Sequence, residues 1–168
     1  NGTLHGTMTW LDGSIVGGAS LTVASNATLF LPTSVSSKSL AGFITNAGTI
    51  KMIGAFALTP SGVLHNLPDA LMDAQPSASV TLNVGGLIIN DGTIRKSAGT
   101  GTVSVRGSLV NNGVLDAQTG TISLDTSAGG TKVIGDGSSY IGAGTNLWKS
   151  YVTLAGDFTS ENLVADNA

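Results

Sequence analysis

The chain is 168 residues long with 24 glycines, no cysteine, and a formal net charge of -3 from seven Lys and Arg against ten Asp and Glu. Without cysteine there is neither a disulfide framework nor a thiolate zinc site. Seven scattered cations make no basic stripe to track phosphates, so nucleic acid is not an expected partner. Charged residues are 10% of the chain, against about 25% in an ordinary globular domain, while glycine is about twice its usual share. That is the composition of a turn-rich, weakly charged β surface.

In chain order, the first elements are short strands broken by glycine. Ser20-Leu21-Thr22-Val23 and Ala27-Thr28-Leu29-Phe30-Leu31 alternate with the strand period, placing Leu21, Val23, Leu29 and Leu31 on one side and Thr and Phe30 on the other. Residues 32 to 42 read as a polar bend. Then comes a phrase, Phe43-Ile44-Thr45-Asn46-Ala47-Gly48-Thr49-Ile50, that returns as Leu87-Ile88-Ile89-Asn90-Asp91-Gly92-Thr93-Ile94 and as Leu109-Val110-Asn111-Asn112-Gly113-Val114-Leu115. From Gly92 to Gly113 is 21 residues, and from Gly48 to Gly92 is 44, about two of the same periods. Between them Gly62-Val63-Leu64-His65-Asn66 is a degraded copy.

Fixed-period self-similarity of this kind marks a repeat architecture. Alternating residues supply a strand, and Gly beside Asn supplies the positive backbone dihedrals of a sharp turn. Stacking such units every twenty or so residues predicts an all-β fold, a single-stranded parallel β-helix with coils of about 20 to 24 residues, as one domain over 1-168. Ile50, Ile94 and Leu115 are expected in one inward column. Asn46, Gly48, Asn90, Gly92, Asn111 and Gly113 are expected in a turn column. At about 4.8 Å per coil, seven or eight coils make a rod roughly 35 to 40 Å long.

Two regions depart from the rhythm. Leu67-Pro68-Asp69-Ala70-Leu71-Met72-Asp73-Ala74-Gln75 breaks the alternation, and Pro68 followed by Asp69, Ala, Leu and Met suggests an insertion over about 67-75 carrying a helical turn or two. After Val80-Thr81-Leu82, Thr102-Val103-Ser104-Val105 and Thr121-Ile122-Ser123-Leu124, the pattern loosens from about residue 130. There Lys132-Val133-Ile134, Tyr140-Ile141, Tyr151-Val152-Thr153-Leu154 and Leu163-Val164 are the candidate strands. Within each coil two families of strand alternate, one after the Asn-Gly turn and one after a Gly-Thr turn.

The stretch from Asn90 to Leu124 resembles the repeats of large secreted bacterial β-solenoid proteins of the adhesin and autotransporter-passenger type. The resemblance is loose over residues 1 to 130 and good over 87 to 124. It implies a right-handed coil, a secreted or cell-surface location, and a structural or adhesive role, with a cell-surface glycan or protein receptor as partner. These motifs encode turns and ladders and are nearly silent about ligand. The chain opens in mid-phrase at Asn1-Gly2-Thr3-Leu4, so it is expected to be a segment of something longer. No apolar run reaches the 18 residues of a membrane span.

Catalytic signals are thin. His5 and His65 stand alone, and Asp91 and Asp116, 25 residues apart with Arg95 and Arg106 near, are equally well read as surface charge. No catalytic residue, metal ligand or cofactor is assigned, and the chain is not expected to be an enzyme. Gly135-Asp136-Gly137 has one Asp where calcium-binding repeats need several. Asn1 and Asn26 match the glycosylation sequon. The sparse aromatics Trp148, Tyr151 and Tyr140 are read first as a cover for the last coil, whose strand edges would otherwise invite pairing; as a second reading they, with His65 and Asn66 beside the interruption, are the candidate binding anchors. Carbohydrate binding or polysaccharide chemistry is the alternative reading, and an ice-binding solenoid a third, suggested by Thr49, Thr93, Thr102 and Thr121.

Overall fold

In the computed structural model, which describes all residues except 34-37, 55, 56, 60, 83, 84, 128, 167 and 168, the chain is a parallel β-solenoid of about seven turns. Each coil contributes three short strands, one to each of three lateral faces. The first face is an eight-stranded sheet running from Gly2–Leu4 to Thr153–Leu154, and the second an eight-stranded sheet from Thr7–Thr9 to Phe158–Ser160. The third face is in two parts. Gly13–Ile15, Lys38–Leu40 and Ala57–Leu58 form one sheet, and the five strands from Val80–Leu82 to Leu163–Ala165 form the other. All pairings are parallel. Three strands per coil replace the expected two because the segment ahead of the Asn, Leu87–Asn90 in the best copy, is itself a ladder strand rather than part of the turn.

Register converts the repeat into columns. Leu29, Ile50, Met72, Ile94 and Leu115 are successive ladder partners on the second face, and none is more than 1% exposed. On the first face Ile44, Leu64, Ile88 and Leu109 do the same. Beside them Asn46, Asn66, Asn90 and Asn111 form a buried ladder. Each side-chain amide donates to the next Asn carbonyl, at 2.7, 2.8 and 2.7 Å. The Asn column therefore sits at the inward end of a strand, one step before the corner, and the degraded copy supplies a full member in Asn66.

The glycines of the phrase work by closeness, not by dihedral. Gly48, Gly92 and Gly113 are absent from the positive-φ residues. A β-carbon at Gly92 would lie 2.5 Å from the Ala70 carbonyl oxygen, and at Gly48 equally close to that of Ala27. The corner packs on the corner beneath it so tightly that only a hydrogen fits.

The interruption is resolved without a helix. Leu71–Ala74 is a regular strand of the second face, in register with Thr49–Met52 below and Thr93–Lys96 above. What is inserted is two residues of corner: Leu67 to Ala70 occupies the place that Ala47-Gly48 and Asp91-Gly92 fill elsewhere. Ala70 N donates to the Leu67 carbonyl at 3.1 Å, with Asp69 at φ 66°. Pro68 thus starts a tight turn, for which its fixed φ suits it as well as for a first helical turn. The polar bend expected at 32 to 42 is likewise interrupted by the strand Lys38–Leu40; its residues 34-37 lie outside the described residues.

From residue 130 the register holds: Leu109 pairs with Lys132, Leu115 with Tyr140, and Leu124 with Trp148. The pattern looked loose only because larger and more polar side chains enter the same columns. As a test of the ladder, Asn90→Ala should leave Asn111 Oδ1 without its donor in a buried site and cost about 2–4 kcal/mol. Arg95→Ala, on the outward side of the neighbouring face, should cost no more than about 1 kcal/mol. Urea unfolding of both variants checks the contrast.

Candidate functional site

The three faces present different surfaces. On the second face the outward side chains Lys51, Asp73, Arg95 and Asp116 are ladder neighbours of alternating charge. Arg95 Nε reaches Asp116 Oδ2 at 2.8 Å, and Asp73 accepts from Ser97 Oγ at 2.6 Å and Gln75 Nε2 at 2.7 Å. A neighbouring outward row runs Thr28, Thr49, Leu71, Thr93, Val114 and Ser139. The third face carries Thr102, Thr121 and Thr145 in one row.

The first face is apolar outside as well as inside. Phe43, Val63 and Leu87 form one outward row, and Ile89, Val110 and Val133 continue the row begun by Thr45 and His65. Phe43 is 49% exposed and the others partly exposed. Over five strands this strip is about 20 Å long. The recurring apolar pairs Ile88-Ile89, Leu109-Val110 and Val133-Ile134 are its sequence signal. Consecutive apolar residues are the pattern of parallel strands with two apolar faces.

His65 lies at the edge of this strip. Its Nε2 is 2.5 Å from Asp91 Oδ2, while Asn112 Nδ2 donates to Asp91 Oδ1 at 2.7 Å. The Asn112 amide, with the His65 ring, holds the Asp91 carboxyl below the usual carboxylate range. Asp91 and Asp116 fall on neighbouring coils but in different rows, each engaged with its own partner. These two acids therefore do not converge on one groove, and no group of three His, Cys, Asp or Glu side chains that could hold a metal ion occurs among the described residues.

The remaining anchors separate. Asn66 is fully buried in the Asn ladder and offers nothing to a partner. Tyr140, also fully buried, packs edge-on against Trp148 and Phe158 at ring-centroid distances of 5.5 and 6.0 Å. These three rings fill the C-terminal core, since each coil end must replace the aliphatic columns with something. Burial pushes the Tyr140 hydroxyl up to about 12. Tyr151 is 88% exposed and belongs to a different corner, where it walls a cleft of about 220 Å³ with Lys132, Thr126, Thr131 and Thr153.

Buried lysines were missed by reading the sequence for aliphatic columns alone. Lys96 is fully buried, and its Nζ donates to the carbonyls of Pro76, Ala98 and Gly99 at 3.2, 2.6 and 2.9 Å. Lys38 reaches the Pro32 carbonyl at 2.9 Å, and Lys132 the Gly107 carbonyl. The alternation of Thr93-Ile94-Arg95-Lys96 already points Lys96 inward, and was the available signal. Desolvation lowers all three ammonium groups, Lys132 to about 8.

No family model matches the chain, and neither a curated protein nor a solved structure matches it.

Two predictions follow from this geometry. Trp148→Ala should cost about 3–5 kcal/mol as a core truncation, while Tyr151→Ala should shift stability by no more than about 0.5 kcal/mol, read by thermal melts. The second concerns pH. Between about 8 and the ordinary 10.5 the unfolded chain keeps a Lys132 proton that the folded chain has released, so stability rises with pH there. Between 10 and about 12 the folded chain keeps a Tyr140 proton that the unfolded chain loses, so stability falls. The urea midpoint should therefore climb from pH 8 to a maximum near pH 10, and Lys132→Met should flatten the climb.

Proposed function

We propose that the chain is a structural or adhesive module of a secreted or cell-surface protein, presenting a stiff β-solenoid whose first face makes the attachment. The observation that carries this reading is the aliphatic strip of Phe43, Val63, Leu87, Ile89, Val110 and Val133. An apolar strip of this extent, set beside a charged face and a Thr-bearing one, is the kind of surface that marks an interaction site. The non-enzymatic reading is supported by the pairing of Asp91 with His65 and of Asp116 with Arg95, which engages these two carboxylates instead of leaving them to flank a glycosidic bond. Against an ice-binding role stand Leu71 and Val114, which break the Thr row of the second face, and the charged row beside it. A protein receptor suits the aliphatic strip best, since sugar-binding surfaces rely on aromatic and polar groups.

The test is attachment of the purified chain to cells and to immobilised surface proteins. Ile89→Lys combined with Val110→Lys should abolish attachment while leaving the melt within a few degrees of the parent. Unchanged attachment by this variant would exclude the first face. Release of products from any polysaccharide in a degradation screen would overturn the non-enzymatic reading.

A further inference from the structure

The charged row of the second face has a symmetry of its own. Read up the rod, its outward side chains are Phe30, Lys51, Asp73, Arg95, Asp116 and Ile141, each the ladder partner of the next. In kind they run apolar, cation, anion, cation, anion, apolar. Read downward, the same row runs apolar, anion, cation, anion, cation, apolar, so the reversed row is the charge complement of the original. The centre of that relation lies between the adjacent coils of Asp73 and Arg95.

A row with this property matches a second copy of itself. Let two rods lie antiparallel with their second faces together, related by a two-fold axis that passes between the Asp73 and Arg95 coils. Asp73 of each copy then faces Arg95 of the other, and Phe30 faces Ile141. Isologous contacts of this kind are the commonest way for identical chains to pair. Parallel rods with this row opposed would instead put Lys51 on Lys51, Asp73 on Asp73 and Arg95 on Arg95. Moving the axis onto the Asp73 coil or the Arg95 coil also sets like charges against each other. Charge therefore selects both the direction and the register, since opposed like charges are strongly disfavoured.

The two central side chains are accessible for this. Asp73 and Arg95 are both partly exposed. Arg95 is 36% exposed at its side chain and engages Asp116 through Nε, which leaves the terminal guanidinium nitrogens as donors. Asp73 accepts one hydrogen bond at each oxygen, from Gln75 and Ser97, and a carboxylate has about four acceptor positions. Asp116 differs: it is 5% exposed and held by Arg95 and Gln118. No direct bond is therefore assigned at the outer positions, where Lys51 comes opposite the Asp116 coil. The row beside the charged one, from Thr28 to Ser139, holds no charge and nothing larger than Leu71, so it lets the faces approach.

Size sets the strength. Eight strands of about four residues make a face roughly 34 Å by 13 Å. Two such faces bury about 900 Å² in total, below the ~1,200 Å² at which standard interfaces begin. The contact is weak and reversible.

We propose that the second face is a self-association surface on which a second copy of this chain docks antiparallel, with two symmetry-related Asp73–Arg95 ion pairs at its centre. It uses a face that the aliphatic strip does not occupy, so it goes beyond the attachment reading and stands or falls independently of it.

Sedimentation of the whole chain over a concentration series decides the matter. A reversible dimer should form at high protein concentration and weaken as salt is raised. Asp73→Lys should weaken it more than about tenfold with a melt close to the parent's, and Arg95→Glu should do the same. An equimolar mixture of the two variants should associate again, because each offers the other an opposite charge, a rescue that a merely structural role for either residue does not produce. If Arg95→Glu does not fold beside Asp116, Asp73→Lys and a thiol pair still decide. The chain has no cysteine, so Leu71→Cys and Thr93→Cys each introduce a single thiol, and in the antiparallel register Leu71 of one copy faces Thr93 of the other. Oxidation of the mixture should give the mixed disulfide in preference to either symmetrical one. Preferential self-coupling of the Leu71→Cys variant would overturn the antiparallel register. A chain that stays monomeric at every concentration, or association that ignores Asp73→Lys and is removed by Ile89→Lys on the first face, would overturn the proposal entirely.

Discussion

The structure depends on one hydrogen bond made again at the same place in every coil. The amide just past each first-face strand donates to the carbonyl of the corresponding strand end one coil below. Ala47 donates to Val23 in this way, Leu67 to Asn46, Asp91 to Asn66, Asn112 to Asn90, Gly135 to Asn111 and Ala155 to Ile134, all at 2.7 to 2.9 Å. A strand of four residues has too few contacts to hold itself, and it is this vertical pairing that satisfies its backbone. The corner is also where coils approach most closely, which is why Gly48, Gly92 and Gly113 cannot carry a side chain. Fixing the corner fixes the register. With it, every side chain joins either an inward or an outward column.

Columns explain what could and could not be seen in the sequence. The period, the parallel stack, the inward row of Ile50, Ile94 and Leu115, and the Asn row were all legible, because identical residues at identical spacing are the direct imprint of a shared register. The strand Leu71–Ala74 was not, since Leu-Met-Asp-Ala is a weak strand sequence whose place is set by its neighbours above and below. Tyr140 and Trp148 read from sequence first as a cover for the last coil and second as surface anchors. A lone aromatic in a sequence of small residues is equally consistent with exposure and with filling a coil end, and only the ladder partners Leu115 and Leu124 decide for the core. Tyr151, three residues after Trp148, has no such partner and points the other way.

Polar groups inside the stack obey the same geometry. An Asn column is tolerable because each amide donates upward and accepts from below, so a member added to the ladder brings its own acceptor. A lysine column could not work in that way, as ammonium groups stacked every ~4.8 Å would repel. The buried lysines accordingly occur singly, at corners, against backbone carbonyls: Lys38 with Pro32, Lys96 with Pro76, Ala98 and Gly99. Carbonyls left over at a corner, where the ladder cannot use them, are what a single buried ammonium can satisfy.

The same separation of columns lets the outside of the rod diverge without disturbing the inside. Because Arg95 and Ile94 are adjacent in sequence but belong to opposite columns, a substitution at one leaves the packing of the other intact. Three faces can therefore carry a charge ladder, a Thr row and an aliphatic strip on one interior. The aliphatic strip is the one that needs explanation, because outward Ile89, Val110 and Val133 contribute nothing to the core that a Thr would not, and they raise the hazard of indiscriminate association. Thr22 and Thr45 occupy that same column in the lower coils, so the ladder itself does not demand aliphatic residues there. A surface that departs from what its own column permits, over consecutive coils and on one face only, is not dictated by how the coil folds, which is what lets one interior carry different exteriors.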